Sequence, residues 1–203
     1  CMADAGPFIN VEGVDINEPM ARTGLPTPQG VSVIPDIPNF GWFDYGLRVG
    51  FWRMKQVLDS HGIRATVSLN ASVCFSYPQI VTESVKSGWE MLANSYSQRV
   101  INKEPDEREA IRRTIRTIEE FTGKAPRGWM GPGLAEPFYT PDILAEEGIE
   151  YVADWCNDDQ PYPMKVKSGS LVAVPYTVEL NYIPVYLVQH HRSTALFHRT
   201  KDH

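Results

Sequence analysis

Two stretches of this sequence place polar side chains directly after apolar runs. Trp89–Ala93 is followed by Asn94 and then by Gln98, and Phe8–Val11 is followed by Glu12. A carboxylate can orient or deprotonate water, and carboxamides can hydrogen-bond a substrate amide or ureide. The alternative is that the two carboxamides satisfy loop backbone groups. The functional reading of these residues predicts a polar site at the strand ends that could bind a small amide or ureide.

Three further carboxylates follow a later apolar run. Asp154 lies at the end of the predicted strand Ile149–Trp155, where it could act as a base or orient a substrate amide. Asp158 and Asp159 either share that role or form the turn before Pro161, because acidic side chains stabilise turns through hydrogen bonds to the backbone. The sequence leaves both readings of Asp158 and Asp159 open.

Aromatic side chains and thiols lie near the same strand ends. Tyr96, Trp129 and Tyr176 either line a pocket or pack in the core. Cys74 and Cys156 have no base motif beside them, which favours a structural role. The aromatic residues therefore join the candidate substrate-binding set, and the cysteines do not.

Short apolar runs alternate with helical periods from Tyr45 onward, which predicts an α/β fold with a mostly parallel sheet. Glycines follow most of the predicted helices. The predicted strands are Phe8–Val11, Ile63–Leu69, Trp89–Ala93, Arg127–Gly131, Ile149–Trp155 and Leu171–Tyr176. The predicted helices are Tyr45–Ser60, Pro78–Gly88, Asp106–Gly123 and Thr140–Gly148.

Two long loops, Gly13–Phe43 and Cys156–Ser170, interrupt the alternation of predicted strands and helices. In such folds the loops after the strand carboxyl ends build the site.

Composition limits the partners. A chain of 203 residues with a formal charge of −6 fits one domain and gives no electrostatic case for nucleic acid or anionic lipid. The three cysteines (Cys1, Cys74 and Cys156) form no disulfide framework or zinc spacing, and no stretch is long and apolar enough to span a membrane. We therefore expect a cytoplasmic protein with a small-molecule ligand.

Four sequence blocks, in this order, resemble the polysaccharide deacetylase family, also called NodB-like. They are Asp44–Arg53, Gly128–Gly133, Asp154–Tyr162 and Val174–Asn181. The closest branch looks like the one that contains cofactor-independent allantoinases. The resemblance implies a distorted, incomplete (β/α) barrel over residues 1–184, followed by an atypical tail over residues 185–203. It also implies hydrolysis of a non-peptide C–N bond.

The resemblance implies a metal site that this sequence does not reproduce. Family members use a first-strand Asp-Asp pair and two histidines to hold a divalent ion, and a late histidine as acid. Here Glu12 matches the metal carboxylate, Val11 falls on the base position, and Asn94 and Gln98 occupy the histidine places. Carboxamides are poor zinc ligands, so we expect no metal and no cofactor.

Three hypotheses follow from this pattern. The first is a metal-independent hydrolase with Glu12, Asp154 and Asp158 as catalytic residues. Its substrate-binding residues are Asn94, Gln98, Tyr96, Trp129, Asp159, Tyr176 and Glu179. The second is a relative that has lost hydrolysis and binds a small ligand or catalyses an isomerisation or cyclisation. The third is a truncated regulatory isoform that associates through an unpaired barrel edge. An incomplete barrel exposes apolar surface, so the sequence also predicts a homo-oligomer.

Overall fold

The computed structural model describes residues 6–26 and 30–202. Cys1 and residues 27–29 of the predicted first loop lie outside these ranges. None of the helices formed by the described residues has the length and apolar character needed to cross a bilayer.

The described residues form one seven-stranded sheet in the order β1-β2-β3-β4-β5-β7-β6. The strands are β1 (Phe8–Val11), β2 (Thr66–Leu69), β3 (Glu90–Ala93), β4 (Gly128–Trp129), β5 (Tyr151–Val152), β6 (Tyr162–Met164) and β7 (Leu171–Ala173). Every neighbouring pair is parallel except β6 with β7. The predicted mostly parallel α/β architecture is therefore confirmed, and β1 is an edge strand.

Helices connect the strands and cover the sheet. They are α1 (Ile37–Tyr45), α2 (Phe51–Ser60), α3 (Val73–Ser76), α4 (Pro78–Lys86), α5 (Glu107–Thr122), α6 (Thr140–Glu146) and α7 (Ala195–Asp202). A π-helical turn, Gly46–Gly50, joins α1 to α2, and a second one spans Ile183–Val188. The predicted boundary after residue 184 falls inside this second π-helical turn.

The structure corrects several predicted boundaries. The first predicted loop ends early, because the Asp36 side chain accepts a hydrogen bond from the Asn39 N–H and caps α1. The second contains β6, which pairs with β7 and raises the strand count from six to seven. The predicted strand from Ile63 begins only at Thr66, because the register pairs Thr66 with Phe8, the first residue of β1.

The core lies between the sheet and α5. Ile111 and Ile118 on α5 are fully buried, as are Leu69 and Ala93 on the sheet. Phe121, which continues the same apolar stripe, is more than one third exposed, because it lies in the last turn of α5. Burial of the apolar stripe of α5 fixes the helix against the strands whose carboxyl ends build the candidate site.

Gly128 lets β4 approach its neighbours closely. A Cβ at this position would lie 2.2 Å from Tyr151 Cζ and 2.5 Å from Leu92 Cδ1. Only glycine avoids both contacts at this position. Trp129, the next residue, is fully buried.

Side chains, not a strand ladder, link β1 to the segment that follows β7. The Asn10 Nδ2 atom donates to the Tyr176 hydroxyl at 3.3 Å, and Asn181 Nδ2 donates to the same hydroxyl at 2.8 Å. The Phe8 and Tyr176 rings meet edge to face, with centroids 5.6 Å apart. The sheet therefore curves round into an open, distorted barrel, and we call the gap along β1 the seam.

Candidate active site

The main candidate site is a cavity of about 610 Å³ at the carboxyl ends of the strands and along the seam. Its polar lining includes Asn10, Glu12, Arg22, Asn94, Gln98, Tyr176 and Asn181. The apolar lining includes Trp42, Leu47, Phe51, Met54, Met130, Ile183, Pro184 and Val188. A few convergent polar groups in a largely apolar cavity of this size are typical of small-molecule sites.

Asn70 positions the two strand ends that carry Glu12 and Asn94. Its Oδ1 atom accepts a 2.9 Å hydrogen bond from the Gly13 N–H, next to Glu12. Its Nδ2 group donates to the Asn94 carbonyl oxygen. Asn70 is fully buried, so one side chain fixes both backbone segments. Glu12 and Asn94 therefore belong to a single rigid edge of the sheet.

Three carboxamide oxygens of the cavity lining lack hydrogen-bond partners. Asn10 Oδ1, Asn94 Oδ1 and Gln98 Oε1 are all buried, and no group in residues 6–26 or 30–202 donates to any of them. Asn94 is held through its backbone N–H, which donates to the Leu69 carbonyl at 2.9 Å. A buried acceptor without a partner costs about 1–3 kcal/mol, so these oxygens favour a ligand that brings N–H groups.

Glu12 is the carboxylate of this cavity. Burial raises the pKa of the Glu12 carboxyl above its ordinary value, and the positive charge of Arg22 partly opposes that shift. A carboxyl whose pKa is shifted toward neutral pH can both accept and return a proton near pH 7. Glu12 therefore fits a general acid–base role better than the role of a permanent negative charge.

A second carboxyl group, that of Asp154, does not line the cavity but contacts Gly131, which does. Its Oδ1 atom accepts a 2.7 Å hydrogen bond from the N–H of Gly131, which lines the cavity. Asp154 is buried beside Glu136, and the facing oxygens, Asp154 Oδ2 and Glu136 Oε2, have no donor among the described residues. Two adjacent carboxyl oxygens without donors are satisfied when the pair shares one proton. Trp155 Nε1 donates to the other Glu136 oxygen at 2.6 Å.

Burial, followed by the nearby charge of Glu136, raises the pKa of Asp154 well above its usual value. The folded state thus keeps a proton that the unfolded chain loses near pH 4. As pH rises above about 4, we expect the free energy of unfolding of the wild type to fall relative to that of Asp154→Asn. The expected slope is about 1.4 kcal/mol per pH unit, and it continues until the pH passes the pKa of Asp154 in the folded protein. Urea denaturation of both proteins across this range measures the difference. Parallel curves would contradict the shared proton.

The other predicted site residues lie away from the cavity wall. Asp158 Oδ1 accepts from the Gln160 N–H at 3.1 Å, the turn geometry that was the alternative reading, and Asp159 is exposed. Glu179 is exposed as well, and Trp129 is fully buried in the core. Of the predicted set, the structure brings Glu12, Asn94, Gln98 and Tyr176 together around one cavity.

Tyr96 belongs to a neighbouring, more polar cavity of about 1040 Å³. The Arg113 guanidinium stacks on its ring, with its carbon 3.5 Å from the ring centroid. Gln98 lines both cavities. Tyr96 is therefore adjacent to the candidate site without lining it.

Sequence reasoning missed three residues of the site. Asn10 precedes Glu12 by two positions, and the period of two along a strand was the signal that could have identified it. Arg22 lies in a loop without a recognisable pattern, and Glu136 lies far in sequence from Asp154. Only tertiary structure brings Arg22 and Glu136 to their partners.

The metal ion implied by the family resemblance does not fit the residues at this site. Among the described residues, the lining offers one carboxylate, Glu12, four carboxamides and no imidazole or thiolate; the carboxamides are those of Asn10, Asn94, Gln98 and Asn181. No group of three His, Cys, Asp or Glu side chains with metal-binding geometry occurs in residues 6–26 and 30–202. Zinc and similar ions prefer imidazole, thiolate and carboxylate, so this donor set does not form a site for them.

Fold and cavity together define an open, mostly parallel (β/α) barrel with a ligand-sized cavity at its carboxyl edge. A family profile described as "Polysaccharide deacetylase" matches residues 41–152, more than half of the chain. The chain belongs to the polysaccharide deacetylase family, which confirms the resemblance predicted from its sequence.

Individual relatives agree with this assignment. A Schizosaccharomyces pombe protein, named as a member of the polysaccharide deacetylases, is 30% identical over 158 residues, which cover 68% of this chain and 49% of the relative. The chain thus spans about half the length of this curated relative. A Mycobacterium smegmatis structure of the same family name is 27% identical, with a TM-score of 0.68, covering 73% of this chain and 52% of its own.

Two solved structures show the fold over nearly the whole chain. Puue allantoinase aligns with 97% of this chain and 69% of its own, at 22% identity and a TM-score of 0.79. A Pseudomonas aeruginosa PAO1 structure that carries the deacetylase family name aligns with 97% of this chain and 70% of its own, at 24% identity and a TM-score of 0.78. Both support the distorted barrel.

Proposed function

We propose that this protein hydrolyses a C–N bond of a small amide, ureide or N-acyl compound without a transition-metal ion. The family points to amide or acetyl hydrolysis. The observation that carries the proposal is the meeting of one raised-pKa carboxyl, Glu12, with the unpaired oxygens of Asn94 and Gln98 in one cavity. An amide or ureide offers the N–H donors that these two oxygens lack.

Glu12 is the proton carrier in the proposed reaction. Its carboxylate takes a proton from water as the water oxygen attacks the substrate carbonyl carbon. The carboxamide NH₂ groups of Asn94 and Gln98 donate to the carbonyl oxygen as negative charge develops on it. The Glu12 carboxyl then returns the proton to the leaving nitrogen, which breaks the C–N bond. Water is consumed, and the carboxylate is restored.

Metal removal tests the metal-independent part of the proposal. We expect turnover of a panel of small amides and ureides to be unchanged after dialysis against EDTA, because the cavity offers no ligand set for zinc. Metal content is measured on the same dialysed sample, with a zinc-dependent deacetylase treated in parallel as a control for chelation. Activity that disappears with EDTA and returns with added zinc would refute this mechanism.

A second candidate function is binding without hydrolysis. The absence of the histidine pair from positions 94 and 98 favours it, because family catalysis relies on those ligands. The same cavity and the same unpaired acceptors would then hold an amide-bearing ligand. Isothermal titration calorimetry with a panel of ureides and amides separates the two functions. Binding of a compound that the protein does not hydrolyse, when its close analogues are not hydrolysed either, would favour binding without hydrolysis over the proposed hydrolase.

A further inference from the structure

The neighbouring cavity of about 1040 Å³, called the second cavity below, begins beside Glu12. Glu12 lines the first cavity, and the next residue, Gly13, lines the second. Gln98 lines both cavities, and its backbone N–H donates to the Gly13 carbonyl at 3.4 Å. Gly13 and Gln98 therefore form the boundary between the two cavities. A ligand whose amide lies against Glu12 can extend past this boundary into the second cavity.

Arg113 presents a guanidinium without a partner to the second cavity. The helix α5 carries four arginines, and three of them, Arg108, Arg112 and Arg116, form ion pairs with glutamates. Arg113 is the fourth, and no group in residues 6–26 or 30–202 forms an ion pair or a hydrogen bond with its guanidinium. Its N–H groups are therefore available to a ligand.

The Tyr96 ring holds this guanidinium in place. The Arg113 Cζ atom lies 3.5 Å from the centre of the ring. The backbone that carries the ring is fixed, because the Tyr96 carbonyl accepts from the Ser72 N–H at 2.9 Å and the Ser95 carbonyl accepts from the Ala71 N–H at 3.1 Å. A guanidinium that packs its face on an aromatic ring keeps the N–H groups at its edge free, and two parallel N–H groups match the two oxygens of a carboxylate.

The other charges of the second cavity favour a singly charged ligand. Arg99 and Glu104 neutralise each other, with Nε and Oε1 3.5 Å apart. Four more charged residues line the cavity, two of each sign: Lys103, Arg113, Asp15 and Glu18. A phosphate dianion would add two negative charges to this balanced set, whereas a carboxylate adds one. The chemistry of the lining therefore fits a carboxylate better than a phosphate.

We propose that the second cavity binds a carboxylate of the substrate through Arg113. The substrate is then an acid that also carries an amide or ureide group, such as an N-carbamoyl or N-acyl amino acid. This inference rests on the proposed function, because it takes the amide to lie against Glu12 in the first cavity. Gln98 contacts the chain between the two groups. Arg113 determines specificity and takes no part in proton transfer.

Matched acids and carboxamides test whether the negative charge is recognised. The acids are N-carbamoylglycine, N-carbamoyl-β-alanine and N-carbamoyl-γ-aminobutyrate, and each is paired with a twin whose carboxylate is replaced by a carboxamide. The three chain lengths sample different distances between the ureide and the carboxylate. We expect at least one acid to bind the wild type at least about tenfold more tightly than its twin, because ionised partners strengthen a hydrogen bond. Isothermal titration calorimetry measures both dissociation constants.

Arg113→Gln removes the proposed carboxylate ligand, and Arg116→Gln is its matched control. Both variants replace an arginine of α5 with glutamine, but Arg116 lines neither cavity. We expect Arg113→Gln to bind the preferred acid as weakly as its twin, with the affinity for the twin unchanged. Arg116→Gln should keep the wild-type ratio of the two dissociation constants. Both side chains are exposed, so we expect both variants to fold, which circular dichroism checks.

Several outcomes overturn the proposal. They are absence of binding by all the acids, equal binding of every acid and its twin by the wild type, an acid preference that survives Arg113→Gln, and an equal loss of that preference in Arg116→Gln. Inorganic phosphate that displaces the acid at a lower concentration than acetate does would replace the carboxylate with a phosphate ligand. If Arg113→Gln does not fold, the comparison of acids with twins on the wild type decides.

Hydrolysis of the same ligands is measured separately, so that the two proposals can fail independently. Turnover of the carboxamide twins without any preference for an acid would contradict the role of Arg113 and leave the proposed hydrolysis standing. Binding of an acid that depends on Arg113, without turnover, would contradict hydrolysis and leave Arg113 as the carboxylate site of a binding protein.

Discussion

Replacing Glu12 with glutamine is expected to abolish most of the hydrolytic activity. The substitution keeps the shape of the side chain and removes the proton carrier, and general acid–base groups contribute about 10²–10⁴-fold to rate. In the wild type, activity should rise with pH through the raised pKa of Glu12, because the base must lose its proton before it can take one from water. In Glu12→Gln this limb disappears. Steady-state kcat and kcat/KM as functions of pH are the measurement.

Glu120→Gln is the matched control for this experiment. Glu120 is exposed on α5, outside the cavity lining, so the same chemical change there should leave turnover unaltered. Thermal unfolding by circular dichroism checks that Glu12→Gln is folded, which we expect because a neutral carboxamide is easier to bury than a carboxylate. A folded Glu12→Gln protein with wild-type kcat/KM would remove Glu12 from the mechanism.

Trp129→Ala is expected to produce the largest loss of stability. Trp129 lies on β4, which pairs with β3 and β5, and its side chain is fully buried. Truncation of such an aromatic residue costs about 3–5 kcal/mol through lost burial and the cavity left behind. Chemical denaturation monitored by circular dichroism measures the change in the free energy of unfolding.

Trp129→Phe is the companion variant that separates packing from ligand contact. It keeps most of the apolar volume and removes an indole N–H that has no acceptor among the described residues. We expect it to lose much less stability than the alanine variant and to keep its activity. Stable Trp129→Phe protein with sharply raised KM would instead support the sequence-based prediction that Trp129 binds substrate.

The order of the elements was predictable because local signals mark them. Glycines close the helices, and Gly123 adopts the left-handed conformation after α5 that a side chain disfavours. Strand ends were less predictable, since the length of a strand depends on its neighbour: β4 and β5 pair over only two residues each. The strand β6 was missed because Tyr162–Met164 contains a proline and has no alternating pattern, and it exists only through its pairing with β7.

The site was predictable where strand ends define it. Glu12, Asn94 and Tyr176 each follow a strand of the parallel sheet, and such positions converge at one edge. Asp154 also follows a strand, yet it points behind Gly131 toward Glu136, a partner 18 residues earlier in the sequence. Side-chain direction and loop contacts of this kind depend on tertiary packing, which no local pattern encodes.

Three uncharged side chains form the hydrogen bonds where β1 meets the segment after β7: Asn10 bonds to Tyr176 across the junction, and Asn181 bonds to Tyr176 within the segment. Burial raises the pKa of the Tyr176 hydroxyl, so it remains a neutral phenol well above physiological pH, and Asn10 and Asn181 do not ionise. Ionic strength screens charged pairs and has little effect on neutral hydrogen bonds. Salt therefore weakens the contact between α5 and α6, where Glu147 pairs with Arg108 and Arg112, and leaves the closure of the barrel unchanged.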